Sequence, residues 1–353
     1  MTRLTIHDVA ERAGVSVGTV SNVLNRPDVV AERTRERVQT AIDELGFVWN
    51  NGARQLRGIR NPSIALIVLD VANPFFTEVA RGVERAAAAA DHLVVLVTSD
   101  SSPDREERAL RLLDEQRVAG ILISPAGQHD SNRLAEIRRH GTRVVLLDRH
   151  PTQGDHCSVA IDDTSGARQV ARHLVDLGHQ QMGLLNGPRD LKPCAERRDG
   201  FLSAHAEAGL ALAEGCDIEG PMTIEDGERL AGEMFDRGDV PTALFCGNDL
   251  MAIGAERAAI TRGLRIPQDI AVVGYDDIRF AETSLVPLTS VRNPAYELGL
   301  RAAELLLDEV SNGAEHTHTS LLLEPQLVVR ESTAGAGAAA AGPAAPTRLG
   351  ARD

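Results

Sequence analysis

The sequence predicts an N-terminal all-α helix-turn-helix head followed by an α/β body built from two doubly wound parallel-sheet lobes. Three observations carry this prediction. Residues 5–47 hold three short amphipathic helical patterns, each with its own start and stop signal. From Ile64 onward, short apolar runs alternate with stretches of helical period, as βαβ units do. The runs are too many for one sheet, and a break near "AIDDTSGARQVARHL" divides them into two sets of similar length.

In the head, Thr5 and Asp8 have the spacing of a capping box, Ile6, Val9 and Ala10 repeat with helical period, and Gly14 closes the helix. Ser16 is the next N-cap, and Val20, Val23 and Leu24 fall at i, i+3 and i+4. Two capped helices joined through a glycine make a helix-turn-helix. The third pattern, "AERTRERVQTAIDELGF", sets Val38, Ile42 and Leu45 on one stripe and stops at Gly46. A second helix lying in a major groove would turn Val17, Gly18 and Asn22 toward the base edges. None needs a charge, since an amide bonds adenine bidentately and a valine methyl meets a thymine methyl. The competing reading places Val17 in the head's core and Asn22 in solvent.

Charge separates head from body. Residues 1–60 carry nine arginines and seven acids, a balance of +2, which leaves 28 basic and 44 acidic groups, −16, on the remainder of a 353-residue chain. A weakly basic head on an acidic body presents one small surface to phosphates and repels them elsewhere. The body's 43% apolar content over the whole chain is ordinary for a buried core. No apolar run approaches the length of a membrane span and no secretory signal is apparent, so a cytoplasmic protein without a membrane partner is expected. Cys157, Cys194, Cys216 and Cys246 are widely spaced, without a C-x-x-C pair or a histidine at metal-ligand spacing, and read as reduced core thiols. No metal and no cofactor is expected.

The body's strands are "IALIVLD", "HLVVLVTSD", "GILISP", "RVVLLDR", "HCSVAID", "QMGLLNG", "TALFCGND" and "AVVGYDD". In such sheets ligands bind beyond the carboxyl ends of the strands. The polar residues there are Asp70 and Asn73 with Phe75 and Phe76, then Asp148 and Arg149, Asp162, Asn248 with Asp249, and Asp276. Carboxylates and an amide accept from vicinal hydroxyls, and aromatic rings cover an apolar sugar face, so this set suits a polyhydroxylated ligand; the alternative is that each merely caps the following helix. The late segments "LTSVRNPAYELGLRAAELLLDEV" and "LLLEPQLVVR" are expected to return to the first and second lobe in turn. The first lobe then spans about 62–160 and 291–319, the second about 161–290 and 320–332. The Ala-rich helical stretches "PFFTEVARGVERAAAA" and "LMAIGAERAAI" fit either a dimer face or packing inside the chain. The Ala-, Gly- and Pro-rich segment 333–353 reads as a disordered tail.

The strings "TIHDVAERAGVSVGTVSNVLN", "TRERVQTAIDELGF" and "NGARQLRG" resemble the DNA-binding head and hinge of the LacI family of bacterial transcription regulators. The body is similar to that family and to periplasmic sugar-binding proteins through "DVANPFF", "LLDR", "AIDD", "ERRDGF", "CGNDLMAIGA" and "VVGYDD", in family order to about Ser332. The resemblance implies a periplasmic-binding-protein-like body and makes Val17, Gly18 and Asn22 base-reading positions. It adds Thr5, Ser16, Thr19, Ser21, Asn25, Arg33 and Thr34 to the DNA-facing set. It also implies a hinge over 50–60 that becomes helical on operator DNA, with Asn50, Ala53 and Arg54 on the duplex and Leu56 as a minor-groove wedge. Trp49 and Gly52 depart from the family's hinge, and Gly52 costs a helix roughly 1 kcal/mol relative to Ala. For the effector the resemblance implies Phe75, Phe76, Arg149, Asp162, Arg197, Asn248 and Asp276. Met222 stands where relatives often carry an aromatic residue, and Leu191 and Pro193 replace polar neighbours, so one wall is greasier than usual.

The expected function is a repressor that binds a pseudo-palindromic double-stranded operator as a homodimer, a tetramer being compatible, under control of a small carbohydrate-like effector. Neither G-x-G-x-x-G nor G-x-x-x-x-G-K-[ST] occurs, and the scattered histidines, His179 included, suggest no general base, so an enzyme is not expected. The runner-up is a sugar-binding module without DNA function; it calls for an export signal and no helix-turn-helix, the reverse of what is read here.

Overall fold

The computed structural model describes residues 4–47, 61–127, 132–149, 156–212, 215–237 and 240–334. The expected hinge, with Asn50, Ala53, Arg54 and Leu56, and the tail from residue 335 lie outside the described residues. The chain divides into two compact units that meet between Asn61 and Pro62.

The first unit contains α1 (Ile6–Ala13), α2 (Val17–Asn25), a 3₁₀ turn at Pro27–Val29 and α3 (Glu32–Leu45). The Asp8 carboxylate accepts from the Thr5 backbone N–H at 2.6 Å and from its hydroxyl at 2.8 Å, which fixes the start of α1. Gly14 ends α1 at φ +63°, a left-handed conformation that glycine reaches without penalty. Arg37 on α3 reaches across to donate to the Ala13 carbonyl at 2.6 Å, satisfying an acceptor the helix end leaves open. Ser16 Oγ accepts from the Thr19 N–H at 3.1 Å and caps α2. Val9, Ala10, Ala13, Val20, Val23, Val38 and Ala41 form the small core.

The second unit alternates strand and helix. In chain order it runs β1 (Asn61–Val68), α4 (Pro74–Ala89), β2 (Leu93–Thr98), α5 (Pro103–Glu115), β3 (Val118–Ile123), α6 (Asn132–Arg139), β4 (Arg143–Leu147) and β5 (Cys157–Ile161). It continues through α7 (Asp163–Asp176), β6 (Met182–Asn186), α8 (Lys192–Glu207), β7 (Asp217–Glu219), α9 (Ile224–Phe235), β8 (Ala243–Cys246), α10 (Asp249–Thr261) and β9 (Ala271–Val273). It ends with β10 (Ser290–Arg292), α11 (Ala295–Asn312), β11 (Ser320–Leu323), β12 (Gln326–Val328) and the short α12 (Glu331–Ala334). One sheet has the order β11-β5-β4-β3-β1-β2 and the other β7-β6-β8-β9, while β10 and β12 pair as an antiparallel ribbon. The strands β3, β5, β6 and β8 are buried along their whole length, as parallel strands with helices on both faces must be.

The chain crosses between the lobes at residues 161–163, again between β9 and α11, and finally between β11 and β12. Two boundaries therefore move. Residues 320–323, expected in the second lobe, form β11 and pair in parallel with β5 of the first sheet, Ser320 opposite Ser158 and Leu323 opposite Ile161. Both crossings near the C-terminus are only a few residues long, so apolar pattern alone does not tell which sheet claims each run. The body also continues past Ser332. Thr333 is 6% exposed and its hydroxyl bonds Thr289 at 2.8 Å, which ties α12 to the second lobe and removes 333–334 from the expected tail. The three-residue β7 is absent from the sequence reading because "DIE" is too short and polar to register as an apolar run.

The Ala-rich stripes are used inside the chain. A Cβ on Gly82 of α4 would lie 2.1 Å from the Tyr296 carbonyl of α11, and one on Gly299 of α11 would lie 2.0 Å from the Val79 carbonyl. Helix backbones touch there. Gly254 of α10 meets Ile224 of α9 in the same way. Small residues thus permit close helix pairing within each lobe, and the buried faces of α4 and α10 are not free for a second chain. Among the described residues no helix is long and apolar enough to cross a membrane.

Candidate functional site

Between the carboxyl ends of the two sheets lies a cleft of about 630 Å³. The first lobe lines it with Leu69, Asp70, Asn73, Phe75, Phe76 and Asp148, and the loop after β2 adds Asp100 and Ser101. From the second lobe come Pro188, Leu191, Pro193, Cys194, Arg197 and the segment from Glu219 to Thr223, which includes Met222; Asn248 and Asp276 complete the wall. Phe75 and Phe76 meet edge to face with centroids 5.1 Å apart, which offers a flat apolar surface beside a ring edge. Opposite them the Cys194 thiol contacts the Met222 sulfur at 3.6 Å, so this wall is apolar and soft.

Arg197 organises the cleft floor. It is 7% exposed, donates from Nε to Asp163 at 2.8 Å and from Nη1 to the Gly247 carbonyl at 2.6 Å, and its Nη2 lies 3.4 Å from Asp276. The guanidinium carbon sits 4.0 Å from the centroid of the Tyr275 ring. Asp276 accepts from Asn73 Nδ2 of the first lobe at 3.3 Å and from Asn293 Nδ2 at 3.0 Å. This carboxylate therefore links the two lobes across the back of the cleft. Burial pushes its carboxyl up to about 6 although Arg197 opposes the shift. Burial, with Asp163 adding to it, pushes Asp148 up to about 7, and Ser124 donates to that carboxylate at 3.2 Å. Four residues on the cleft wall hold φ in the left-handed region without being glycine: Asp100 (+48°), Ser101 (+53°), Asp148 (+54°) and Asp276 (+100°). Strained backbone gathered at one cleft, with perturbed carboxyls, is the physical signature of a binding site.

Nine of the eleven expected effector residues line this cleft: Asp70, Asn73, Phe75, Phe76, Asp148, Arg197, Met222, Asn248 and Asp276. Arg149 is not among the lining residues; its Nη1 donates to the Gly127 carbonyl at 3.2 Å. Asp162 does not either. Its carboxylate accepts from the Ser165 N–H at 2.8 Å and caps α7, while the adjacent Asp163 turns inward to Arg197. Asn248 combines both readings, since its Oδ1 caps α10 through Met251 N at 2.9 Å and its amide donates to the Met222 carbonyl at 3.1 Å. Asp249 is a buried acceptor for Ile278 N–H and Ser290 Oγ, outside the cleft. Asp163 and Cys194 were missed; the doubled acid of "AIDD" left the register ambiguous by one residue.

In the head, Ser16, Gly18, Asn22 and Arg33 are exposed, and Thr19, Ser21 and Thr34 are half-buried. Val17 is half-buried against the core, so the core reading holds for part of its side chain. Of Asn25 only the backbone is described. Residues 14–18 spell G-x-S-x-G. The context differs from a hydrolase elbow, because Ser16 follows a helix rather than a strand and its hydroxyl pairs with Thr19 Oγ1 at 2.9 Å. No histidine stands at metal-ligand spacing from a cysteine along the chain, yet Cys157 Sγ lies 3.0 Å from His316 Nε2 and 3.8 Å from His318 Nδ1. Pairing of β5 with β11 joins these positions across about 160 residues, beyond the reach of motif spacing.

Residues 61–327 match the family described as periplasmic binding proteins and sugar binding domain of LacI family, and residues 5–50 match bacterial regulatory proteins, lacI family. The chain is 36% identical over 332 residues to the HTH-type transcriptional repressor PurR of Proteus mirabilis (strain HI4320), covering 94% of this chain and 97% of that one. Among solved structures it is similar to the lac repressor dimer bound to operator and the anti-inducer ONPF, at TM-score 0.81 and 30% identity, covering 94% of this chain and 99% of that one. It is also similar to a transcriptional regulator CelR–cellobiose complex, at TM-score 0.70 and 34% identity, covering 94% and 100%. The chain belongs to the LacI family of bacterial DNA-binding transcription regulators, and not to a family of enzymes.

Proposed function

We propose that this regulator is a homodimeric repressor whose grip on a pseudo-palindromic operator is set by a neutral or cationic polyhydroxylated effector held in the cleft. The carrying observation is the lining itself, in which, among the described residues, Asp70, Asp100, Asp148, Glu219 and Asp276 face one cation, Arg197, already engaged by Asp163. An anionic ligand would meet net repulsion there, whereas hydroxyls find acceptors on the acids and a ring face finds Phe75 and Phe76. The similar transcriptional regulator captured with cellobiose supports the carbohydrate reading. Because Asp276 touches Asn73 across the lobes, an effector that competes for or bridges these groups would favour one lobe arrangement, and the shift is limited by its differential affinity for the two. The hinge residues Asn50, Ala53, Arg54 and Leu56, and the base-reading role of Val17, Gly18 and Asn22, belong to this proposal and rest on the family.

A thermal-shift screen of neutral sugars, amino sugars and sugar acids is the direct test. A ligand at 100 times its dissociation constant stabilises by about 2.7 kcal/mol, a shift of a few degrees. Neutral or amino sugars should act and sugar acids should not; a screen answered by acids alone overturns the cleft reading. Binding to a palindromic probe should fall about 10³-fold or more between 50 and 200 mM salt, and salt-insensitive binding would favour the sugar-module alternative.

The homodimer in this proposal has a surface available. The edge strand β2 exposes Leu93 (74%) and Val95 (40%) on one face and Leu96 (46%) on the other, an apolar edge that a second copy would cover. Introducing Leu93→Asp with Leu96→Asp should convert the dimer to monomer in sedimentation velocity. Retention of the dimer would place the interface elsewhere.

A further inference from the structure

We infer that Cys157, His316 and His318 form a binding site for a thiolate- and imidazole-seeking divalent cation, of which Zn²⁺ is the chemical match, at the amino ends of β5 and β11. The site is separate from the effector cleft, which lies at the carboxyl ends of the same strands. Cys157 opens β5, and the two histidines lie in the segment between α11 and β11.

Geometry is the first argument. The three ligand atoms lie within 4.8 Å of one another, with Sγ 3.0 Å from His316 Nε2 and 3.8 Å from His318 Nδ1. Zinc bonds of about 2.3 Å to sulfur and about 2.0 Å to nitrogen at a tetrahedral angle require sulfur–nitrogen separations of about 3.5 Å. The two observed sulfur–nitrogen distances bracket that value.

The surroundings are the second argument. The Asp308 carboxylate lies 2.5 Å from His316 Nδ1, an arrangement that puts the proton on Nδ1 and aims the Nε2 lone pair at the sulfur. This carboxylate–histidine pair is how metal-binding imidazoles are oriented. The Thr319 N–H donates to Cys157 Sγ at 3.3 Å, which fixes the sulfur at the start of the pairing between β5 and β11. Glu309 is 2% exposed, its Oε2 has no hydrogen-bond partner among the described residues, and its Oε1 lies 3.7 Å from Arg143. Arg138, bonded to His156, is a cation nearby. The thiol proton would leave to solvent as the metal–sulfur bond forms. His316 is 2% exposed by side chain, whereas Thr317 and Thr319 are exposed on either side of His318, so an ion has a path in from the surface. A bound ion would staple β11 to β5 and to the end of α11 just before the chain makes its last crossing to the second lobe.

Tag-free full-length protein, reduced and stripped with chelator, should take up one equivalent of Zn²⁺ in competition with a chromophoric chelator. Co²⁺ should give a thiolate-to-metal charge-transfer band with tetrahedral d–d bands. Cys157→Ser should abolish the charge-transfer band. Because Cys157 is buried, His318→Ala in the surface loop is the second variant, expected to weaken Zn²⁺ at least 10-fold with the circular dichroism unchanged. Asp308→Asn should weaken it 10- to 100-fold, as loss of an orienting partner does. No uptake, or uptake with equal affinity by wild type and His318→Ala, overturns the assignment, and so does a charge-transfer band that survives Cys157→Ser. These readouts need neither DNA nor effector and stand apart from the proposed regulation.

Discussion

Replacing Arg197 by Met should cost 3–5 kcal/mol of folding stability at pH 7.5, the largest loss expected from a single change in the cleft. Methionine fills similar volume, so the effect is electrostatic rather than a cavity. It strands Asp163 and Asp276, each 3% exposed by side chain, without the guanidinium that faces both. Removing one partner of a buried ion pair is costly because the other charge stays out of water. The loss has a pH signature. Without Arg197 the folded-state value of Asp276, already pushed up to about 6, rises further above the unfolded value near 3.9, and a raised acid binds more protons folded than unfolded. Stability of the variant must therefore fall as pH rises from about 4 through the folded value, and its deficit against wild type must shrink on acidification. Chemical denaturation at pH 5.5 and 7.5 reads both effects. Adding Asp163→Asn to Arg197→Met should recover a large part of the loss, since it removes one stranded charge. A deficit below about 1 kcal/mol at pH 7.5, or one that does not change with pH, would mean that the two acids are neutral in the native chain and that Arg197 is not their counterion.

Which parts of this site were legible follows from what sequence encodes. Strand-end position is a one-dimensional property, and it located Asp70, Asn73, Asp148, Asn248 and Asp276 beside the cleft. Side-chain direction at a strand-to-helix turn is not. Asp162 and Asp163 are equal candidates on the page, and only the start of α7 decides that the first caps and the second turns inward. Arg149 likewise sits at the expected strand end but leaves the cleft for a carbonyl on the neighbouring loop. The head was read almost whole because capping box, glycine stop and apolar stripe are local signals, whereas the half-burial of Val17 depends on α2 packing against the rest of that core. Lobe membership near the C-terminus failed for β11 because strand pairing is a long-range choice; Ser320 joins Ser158 rather than any strand of the second lobe. That same pairing creates the Cys157–His316–His318 cluster, so one strand assigned to the wrong lobe concealed both a boundary and a candidate metal site.

Glu256→Gln should stabilise the protein by about 2 kcal/mol at pH 8 and change little at pH 4.5. Glu256 lies on α10 and is fully buried. Its Oε2 accepts from Val286 N–H at a long 3.5 Å, and Oε1 has no partner among the described residues. Burial, only partly opposed by the Val286 and Ser284 contacts, pushes the carboxyl from 4.5 to about 7. A raised acid binds more protons folded than unfolded between those two values, so its contribution worsens as pH rises through that window and is constant above it. At 1.36 kcal/mol per unit this amounts to about 3 kcal/mol above pH 7, from which the desolvation of an amide N–H₂ removes about 1 kcal/mol. Glutamine retains the shape and the acceptor for Val286 without the charge. Denaturation midpoints of wild type and variant measured from pH 4.5 to 8 should diverge steadily with the variant ahead. Curves that stay parallel, or a variant that falls behind at pH 8, would mean that Glu256 is ionised and well solvated or paired in the native state. Such a site also explains why an acidic residue can sit amid the α9–α10 packing at all. The helix tolerates it because near neutral pH the group holds a proton about half the time, and the body's stability is tuned by how often it does.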